Sequence, residues 1–517
     1  MKMKDRLKNY SKLKRRLVTD GILAGILGGF FSLIYRWALS KTDVIRDVIY
    51  RDQQGSHILL WILFSIGAGL IIGQLVKWEP LSAGSGIPQV QGEILGLFDM
   101  KPLRILFSKM TGGILSNLTG LSLGREGPSI QIGAAMGKIA SKLLKRDATE
   151  ENYLISAGAS AGLAAAFNAP LAGTLFTLEE MHKNFSALLL IPSLIAAVIA
   201  DFMSKYIFGL SPVFQFQVTQ SLPLKFYYLV VLTGVITGVI GVIFIKAITL
   251  FQDAYKNAKI DARYWPVIAI LILVALGYYN PDLLGGGHHL MEEISSGGFA
   301  IPALISFLIA KLLLTALSYG SKAQGGIFLP VLVMGGITGM LMFQLVQQGG
   351  FLDTGFSANF IIYGMAGILT AVVRSPILSI ILVTEMTGSF QHLLPISIIA
   401  ICAYLTAELL KCLPIYEILL ERIIGKSGET QIETKRVIHT FRLPGMSIMV
   451  NKKVRELNLP SKTLIVAIDR SGDEIIPDGN TILRAGDEIT VVIYSKNISL
   501  TKTYLEAVYP AESVGEI

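Results

Sequence analysis

Charge is scarce in this chain. Asp, Glu, Lys and Arg make up 16% of its 517 residues, against roughly a quarter in soluble domains. That deficit, with 52% hydrophobic residues and a mean hydropathy of +0.58, excludes an ordinary soluble domain and points to a membrane. Cysteine is nearly absent. Cys402 and Cys412 lie in or beside an apolar stretch and make neither a disulfide framework nor a metal motif. No nucleophile–base constellation stands out, so an enzyme reading has no support. No TVGYG-like segment is present, so nothing offers a carbonyl-lined potassium filter. The net charge of +8 does not argue for nucleic acid, because the cations gather at the flanks of apolar segments.

Long uninterrupted apolar runs are also few. Phe226–Ile245 is free of charge and long enough to cross a core of about 30 Å. Ala187–Ala200, Trp265–Tyr279 and Leu393–Ala407 are shorter or interrupted by Gly and Pro. Short, broken segments of this kind mark transporters with discontinuous helices. Glycine is abundant, at 51 residues. It permits close helix approach and irregular backbone around a cavity.

The first 16 residues are basic and carry a single acid, Asp5, which places this end in the cytoplasm by the positive-inside rule. The apolar stretch from Leu17 has no small-residue cleavage site and does not read as a signal peptide. The membrane region is expected over 17–425 and a polar linker over 426–434. A small α/β domain follows over 435–517, with strands at Thr463–Ile468 and Glu488–Tyr494, a short helix at Val454–Leu457 and turns at Asp469–Gly472 and Pro477–Asn480. The membrane region repeats itself. Gly124–Gly137 aligns with Gly325–Gly339 at an offset of 202, and Ala161–Met181 with Ala366–Met386 at 205. The expected fold is therefore all-α and polytopic, with two repeated halves, taken as inverted, and broken helices.

Three segments carry the chemistry. In Gly84-Ser85-Gly86-Ile87-Pro88 a proline in a first helical turn and a capping serine leave N–H groups and a positive dipole end for an anion. An ordinary capped helix start would look the same. Gly124-Arg125-Glu126-Gly127-Pro128 repeats that physics with a carboxylate at the helix start. An acid inside a membrane is costly and reads as functional. Glu126 could occupy the anion's own place and let go on protonation, unless it simply pairs with Arg125. Gly325-Gly326-Ile327-Phe328-Leu329-Pro330 is the repeat mate without an acid. Gly285-Gly286-Gly287-His288-His289 reads as a tight turn with two exposed histidines. No accompanying acid cluster is evident there, so no metal ligand is assigned.

GSGIP, GREGP and GGIFLP in this order, together with Ala166–Met181 and Leu413–Tyr416, resemble the signature segments of the chloride channel/transporter (CLC) family across about Leu17 to Gly425. The resemblance implies chloride/proton antiport by a homodimer with one anion pathway per subunit and no cofactor beyond chloride and protons as substrates. It implies that Ser85 and Tyr416 offer hydroxyls to a central anion and that the N–H groups of Ile327 and Phe328 complete that site. The N–H groups around Arg125–Gly127 would bind an outer anion. Glu126 would be the gate and outer proton carrier, and Glu180 the inner proton-transfer acid. Glu385, the repeat mate of Glu180 in the alignment, is read as structural. A passive chloride channel of the same fold remains an alternative. A fluoride exporter is disfavoured by the retained Ser85 and GREGP, and a regulated potassium transporter rests on the tail alone. The tail resembles a TrkA-C (RCK_C) domain at Val454–Leu457, Ile465–Arg470, Ile475–Thr481 and Ala485–Asp487. That likeness implies a regulatory appendage, dimerisation and a bacterial plasma membrane with both termini cytoplasmic. Cyclic di-AMP is a candidate ligand, its phosphates drawing on Lys452, Lys453, Arg455 or Arg470; a purely structural dimerisation module is the other reading.

Overall fold

The computed structural model describes residues 3–51, 58–216, 220–350, 352–432, 436–445, 447–460, 463–470, 472–494 and 501. These residues form seventeen helices and four strands. The helices are α1 (Met3–Arg51), α2 (Ile58–Trp78), α3 (Ile87–Ile94), α4 (Pro102–Leu118), α5 (Glu126–Leu144), α6 (Ala148–Phe167), α7 (Pro170–Leu175), α8 (Ala187–Phe208), α9 (Tyr227–Asn257), α10 (Trp265–Tyr279), α11 (His288–Ser296), α12 (Ile301–Gly320), α13 (Phe328–Gln348), α14 (Ser357–Val373), α15 (Pro376–Thr387), α16 (Leu393–Leu409) and α17 (Ile415–Ile432). The strands are β1 (Arg436–Arg442), β2 (Leu464–Arg470), β3 (Asp473–Ile475) and β4 (Glu488–Tyr494). They fall into two compact units, Met1–Gln91 with Met100–Ile418, and Gly92–Asp99 with Leu419–Ile517.

In the first unit eight helices are long and apolar enough to span a bilayer, and α14 and α15 are shorter apolar helices. The basic N-terminal segment does not form a separate element: α1 is continuous from Met3 to Arg51. Several helices are too short to cross a bilayer. α3 has eight residues, and α7 has six before the chain loosens into a π-turn over Phe176–Met181. Sequence patterning could not foresee that turn, because a π-bulge shifts a helical register by one residue without a compositional mark.

The halves are alike in packing as well as in sequence. α5 crosses α6 where Gly133 meets Gly158, and α13 crosses α14 where Gly335 meets Gly364. In both crossings a Cβ on either glycine would strike the facing backbone, so only glycine permits this approach. The repeat-equivalent residues Gly124 and Gly326 pair with one another in an isolated antiparallel bridge. Equivalent residues pair in this way where they lie on a two-fold axis between the halves.

The second unit holds a four-stranded antiparallel sheet in the order β1-β4-β2-β3. Its core collects Phe441, Ile465, Ile468, Ile489, Val491 and Ile493, the inward members of strands that alternate apolar and polar. Both expected strands are present. β1 begins just past the expected linker, where the sequence reading placed no strand. The expected helix near Val454 is one 3-10 turn, Val454–Glu456.

Candidate anion and proton site

The three glycine-rich loops, far apart in sequence, are tied to each other by backbone hydrogen bonds. The N–H of Gly84 donates to the carbonyl of Lys322 (3.3 Å), and the N–H of Gly325 to the carbonyl of Gly84 (3.0 Å). Gly124 and Gly326 exchange a reciprocal pair of bonds, each 2.7 Å. From this knot α3, α5 and α13 depart, so their N-terminal ends lie together. Each such end carries about half a positive elementary charge and unsatisfied N–H groups. In the first loop Gly84 and Gly86 have φ of +59° and +95°, a conformation that favours glycine. A Cβ at Gly127 would strike Ser85, so the second loop lies directly on the first.

Ser85 is buried, and its Oγ stands 3.5 Å from the N–H of Ile87. This is a weak cap that leaves the hydroxyl free to serve another acceptor. Tyr416 is fully buried, and its hydroxyl has no hydrogen-bond partner among the described residues. Its ring stacks on Phe328 at 6.3 Å between centroids, and Phe328 also meets Phe167 and Phe176. Ile327 and Phe328 form the cap and first residue of α13. The structure thus brings Ser85, Ile327, Phe328 and Tyr416 into one unit with Arg125–Gly127.

Glu126 is wholly buried at the first position of α5. Among the described residues neither carboxylate oxygen has a partner in full hydrogen-bonding geometry, although the amides of Glu126, Leu329 and Arg125 are near. No ion pair joins it to Arg125, and the Arg125 Nε is itself unpartnered. The simple salt bridge considered above is therefore absent. Tyr416 is within electrostatic reach of both Glu126 and Glu180.

Glu180 is also buried but held quite differently. Its Oε2 accepts from Ser375 Oγ at 2.6 Å and its Oε1 from Gln91 Nε2 at 3.2 Å. Its neighbour Glu179 accepts from the N–H groups of Ile377 (3.1 Å) and Leu378 (2.6 Å), capping α15. Glu385 does the same for α7, accepting from Leu171 (3.1 Å) and Ala172 (2.8 Å). This corrects the alignment. The structural mate of Glu385 is Glu179, not Glu180, because the repeat shifts by one residue at the prolines Pro170 and Pro376 that open the two capped helices. Glu385 is a capping acid, as read from the sequence, and Glu180 has no acidic counterpart in the other half.

Two lysines escaped the sequence reading. Lys109 in α4 and Lys311 in α12 are fully buried and stand 202 residues apart, the repeat offset. Lys109 Nζ donates to the carbonyls of Ser82 and Gly84, both at 2.8 Å. Lys311 Nζ donates to those of Leu283 and Gly285, both at 2.9 Å. A lone lysine inside an apolar segment was the available signal.

A cavity of about 290 Å³ reaches Gly124 and Arg125 and is lined also by Asp43, Arg46, Asp282 and His289. Asp20 in the early part of α1 pairs with Arg146, just past the end of α5, at 2.7 Å. Asp43, further along α1, lies about 35 Å away along a straight helix. The cavity therefore belongs to the face opposite the start of α1. The histidine turn is corrected here as well: Asp282 and Glu293 flank His289, so acids do accompany it.

In the tail the guanidinium of Arg470 grips Asp487 with two bonds of 2.8 Å and also donates to the carbonyl of Ile482. Of the four cations considered for a phosphate, Arg470 is thus already engaged.

Comparison with known proteins follows this geometry. The family model described as voltage gated chloride channel matches residues 68–408, and the TrkA-C domain model matches 438–506. The H(+)/Cl(-) exchange transporter ClcA of Vibrio cholerae is 36% identical over 417 residues, covering 78% of this chain and 88% of the relative. The ClcA of Citrobacter koseri is 31% identical over 440 residues, covering 82% and 92%. Among solved structures, a slow cyanobacterial Cl-/H+ antiporter aligns with a TM-score of 0.75 at 29% identity, covering 80% of this chain and 99% of that one. A CLC-type fluoride/proton antiporter aligns at 0.67 with 24% identity, covering 78% and 97%, a likeness of fold alone.

Proposed function

This chain belongs to the voltage-gated chloride channel family and is a multi-pass membrane protein, and we propose that it exchanges chloride for protons across its membrane. The observation that carries the reading is the state of Glu126: a carboxylate fully buried at a helix N-terminus, among three converging helix starts, with backbone amides near and neither oxygen in full hydrogen-bonding geometry to a described residue. A chloride ion and a carboxylate are both anions, and both want those N–H groups. Each helix end favours a negative charge by about 0.3–2 kcal/mol, so the ends together discriminate strongly between a charged and a neutral occupant. Ionised Glu126 competes with chloride for the ends of α5 and α13. Protonated Glu126 gives up that advantage, and chloride enters. Proton binding and chloride binding thereby become one coupled free energy.

Ser85 and Tyr416 offer hydroxyl donors to a central chloride, and the amides of Ile327 and Phe328 complete its shell. The amides of Arg125–Gly127 hold an outer chloride while the Glu126 side chain is away. Glu180 receives the proton on the other side. The Ser375 and Gln91 contacts favour that role over a passive channel, because they hold a buried acid in place with hydroxyl and amide partners rather than with a cation. The two acids are not exchangeable, and that asymmetry gives the proton route a direction distinct from the chloride route.

We further read the protein as a homodimer in a bacterial plasma membrane, with the basic N-terminus and the tail cytoplasmic. The tail then regulates transport, with cyclic di-AMP as the first ligand to try. Glu126→Ala tests the core of this reading. In liposomes it should keep chloride flux and lose chloride-driven proton movement. Proton pumping at the wild-type rate in this variant would overturn the exchange mechanism.

A further inference from the structure

The turn that opens α11 is the structural echo of the Ser85 loop, yet it does other work. Gly285 and Gly287 take φ of +62° and +91°, close to the values at Gly84 and Gly86. Lys311 pins its carbonyls as Lys109 pins those of the first loop. Where the first loop presents Ser85, this one presents Gly286 and then two histidines.

The histidines differ in how far they are committed. His288 stacks on Phe214 at 4.9 Å, and its Nε2 lies 3.0 Å from the carbonyl of Val213. It is fixed by packing. His289 is exposed, and its Nδ1 lies 3.4 Å from an Asp282 oxygen and 3.5 Å from a Glu293 oxygen. All three ligand atoms lie within 4.8 Å of one another. A protonated His289 Nδ1 would donate to these acids, whereas its free lone pair would join their oxygens as a third ligand for a cation. Two metal bonds of about 2.0–2.2 Å at a tetrahedral angle put their donor atoms about 3.3–3.6 Å apart, which is where the two measured separations fall. His289 and Glu293 are four apart on one face of α11, and Asp282 comes from the 3-10 turn Pro281–Leu283 that Lys311 holds by its carbonyl oxygens. The Lys311 ammonium is spent on those carbonyls. Arg46, another cation on this wall, is paired with Asp43 at 2.9 Å and Asp47 at 3.6 Å.

We propose that Asp282, His289 and Glu293 bind one divalent transition-metal ion of the zinc type at the edge of the cavity that reaches Arg125, which Asp282 and His289 line. One imidazole nitrogen and two carboxylates leave a fourth position for water. This donor set suits zinc, and its mixed nitrogen and oxygen character disfavours magnesium. The ion would neutralise two acids beside an anion's route, so chloride would meet a less negative mouth.

Calorimetric titration of Zn2+ into tag-free, full-length protein in detergent tests the site without reference to transport. One ion per chain is expected. His289→Gln and Asp282→Asn should each abolish that binding, and His288→Gln should keep it. No binding by the wild type at about 1 mM Zn2+ (the affinity of a very weak complex), or equal binding by His289→Gln, would overturn the proposal. A flux arm rests on the exchange reading. Zn2+ added on the cavity face of reconstituted vesicles should lower the chloride concentration for half-maximal flux about twofold or more, and His289→Gln should not respond. An equal response in that variant would overturn the link to transport while the calorimetry still judges the site. Failure of exchange itself would show in the absence of coupled flux without metal.

Discussion

The Ser85 loop and the Gly286 loop are built on one plan. Both have a left-handed glycine on either side of a central residue. Both rest on a buried lysine 202 residues from its mate. Their uses diverge because of what lies against them. The first loop is packed on Gly127 and tied to Gly325, next to Glu126. The second opens to a cavity through exposed His289. A duplicated scaffold thus fixes backbone, and side chains alone assign the chemistry. The same holds for acids. Glu179 and Glu385 are equivalent caps, while Glu180 has no partner in the other half and carries the asymmetry.

Four measurements would break or sharpen this contrast. The largest effect is expected at Glu180. Glu180→Gln should slow coupled proton flux at least about tenfold, the scale of a lost proton-transfer group, while Glu385→Gln should leave coupling intact. Liposome flux of both ions decides it, and equal loss in the two variants would erase the distinction.

Next come the lysines. Replacing Lys109 or Lys311 by Met orphans two buried carbonyls, each worth about 1–3 kcal/mol, partly offset because a buried charge goes with them. Both variants should lose about 2 kcal/mol of stability, read as detergent melting temperature. Only Lys109→Met should also weaken chloride binding.

The paired caps should cost less. Glu179→Gln and Glu385→Gln each replace charge-assisted bonds by neutral ones, a loss of about 1 kcal/mol apiece. Near-equal destabilisation is the expected result, and a large disparity would deny their equivalence.

The smallest effect concerns the tail. Burial raises the Asp487 carboxyl, but the Arg470 fork and the Arg484 amide outweigh it and hold the group below the usual carboxylate range. A depressed folded pKa stabilises above the unfolded value of about 3.9 and is lost as pH falls through the folded value. Protection of the β2 and β4 amides, corrected for intrinsic exchange, should therefore weaken below about pH 4. Asp487→Asn should flatten that dependence.

Much of this was legible in the sequence because it depends on local chemistry. The three Gly/Pro-bounded helix starts, the duplication and the tail strands β2 and β4 carry their own signals. What stayed hidden depends on distant partners. Glu179 and Glu180 are adjacent in sequence and indistinguishable there; only the position of Pro376 and Ser375 across the fold separates a cap from a hydrogen-bonded acid. Asp282 and Glu293 stand seven residues before and four after His289. The four-residue spacing was readable as a helix face, whereas the approach of Asp282 needs the turn that Lys311 holds. β1 went unread because its partner β4 lies some fifty residues on.

The bridge between Gly124 and Gly326 also sets a clock. The amide and carbonyl of Gly124 find their partner only when the chain has grown by 202 residues. At about 5–20 residues per second, synthesis takes roughly 10–40 s to supply it. Over that interval the first half sits in the bilayer with an open backbone edge and the Glu126 helix start uncovered. Bare polar backbone in hydrocarbon is costly, so the nascent half must keep water or another protein at that edge. The ion site therefore becomes enclosed only when the second half arrives.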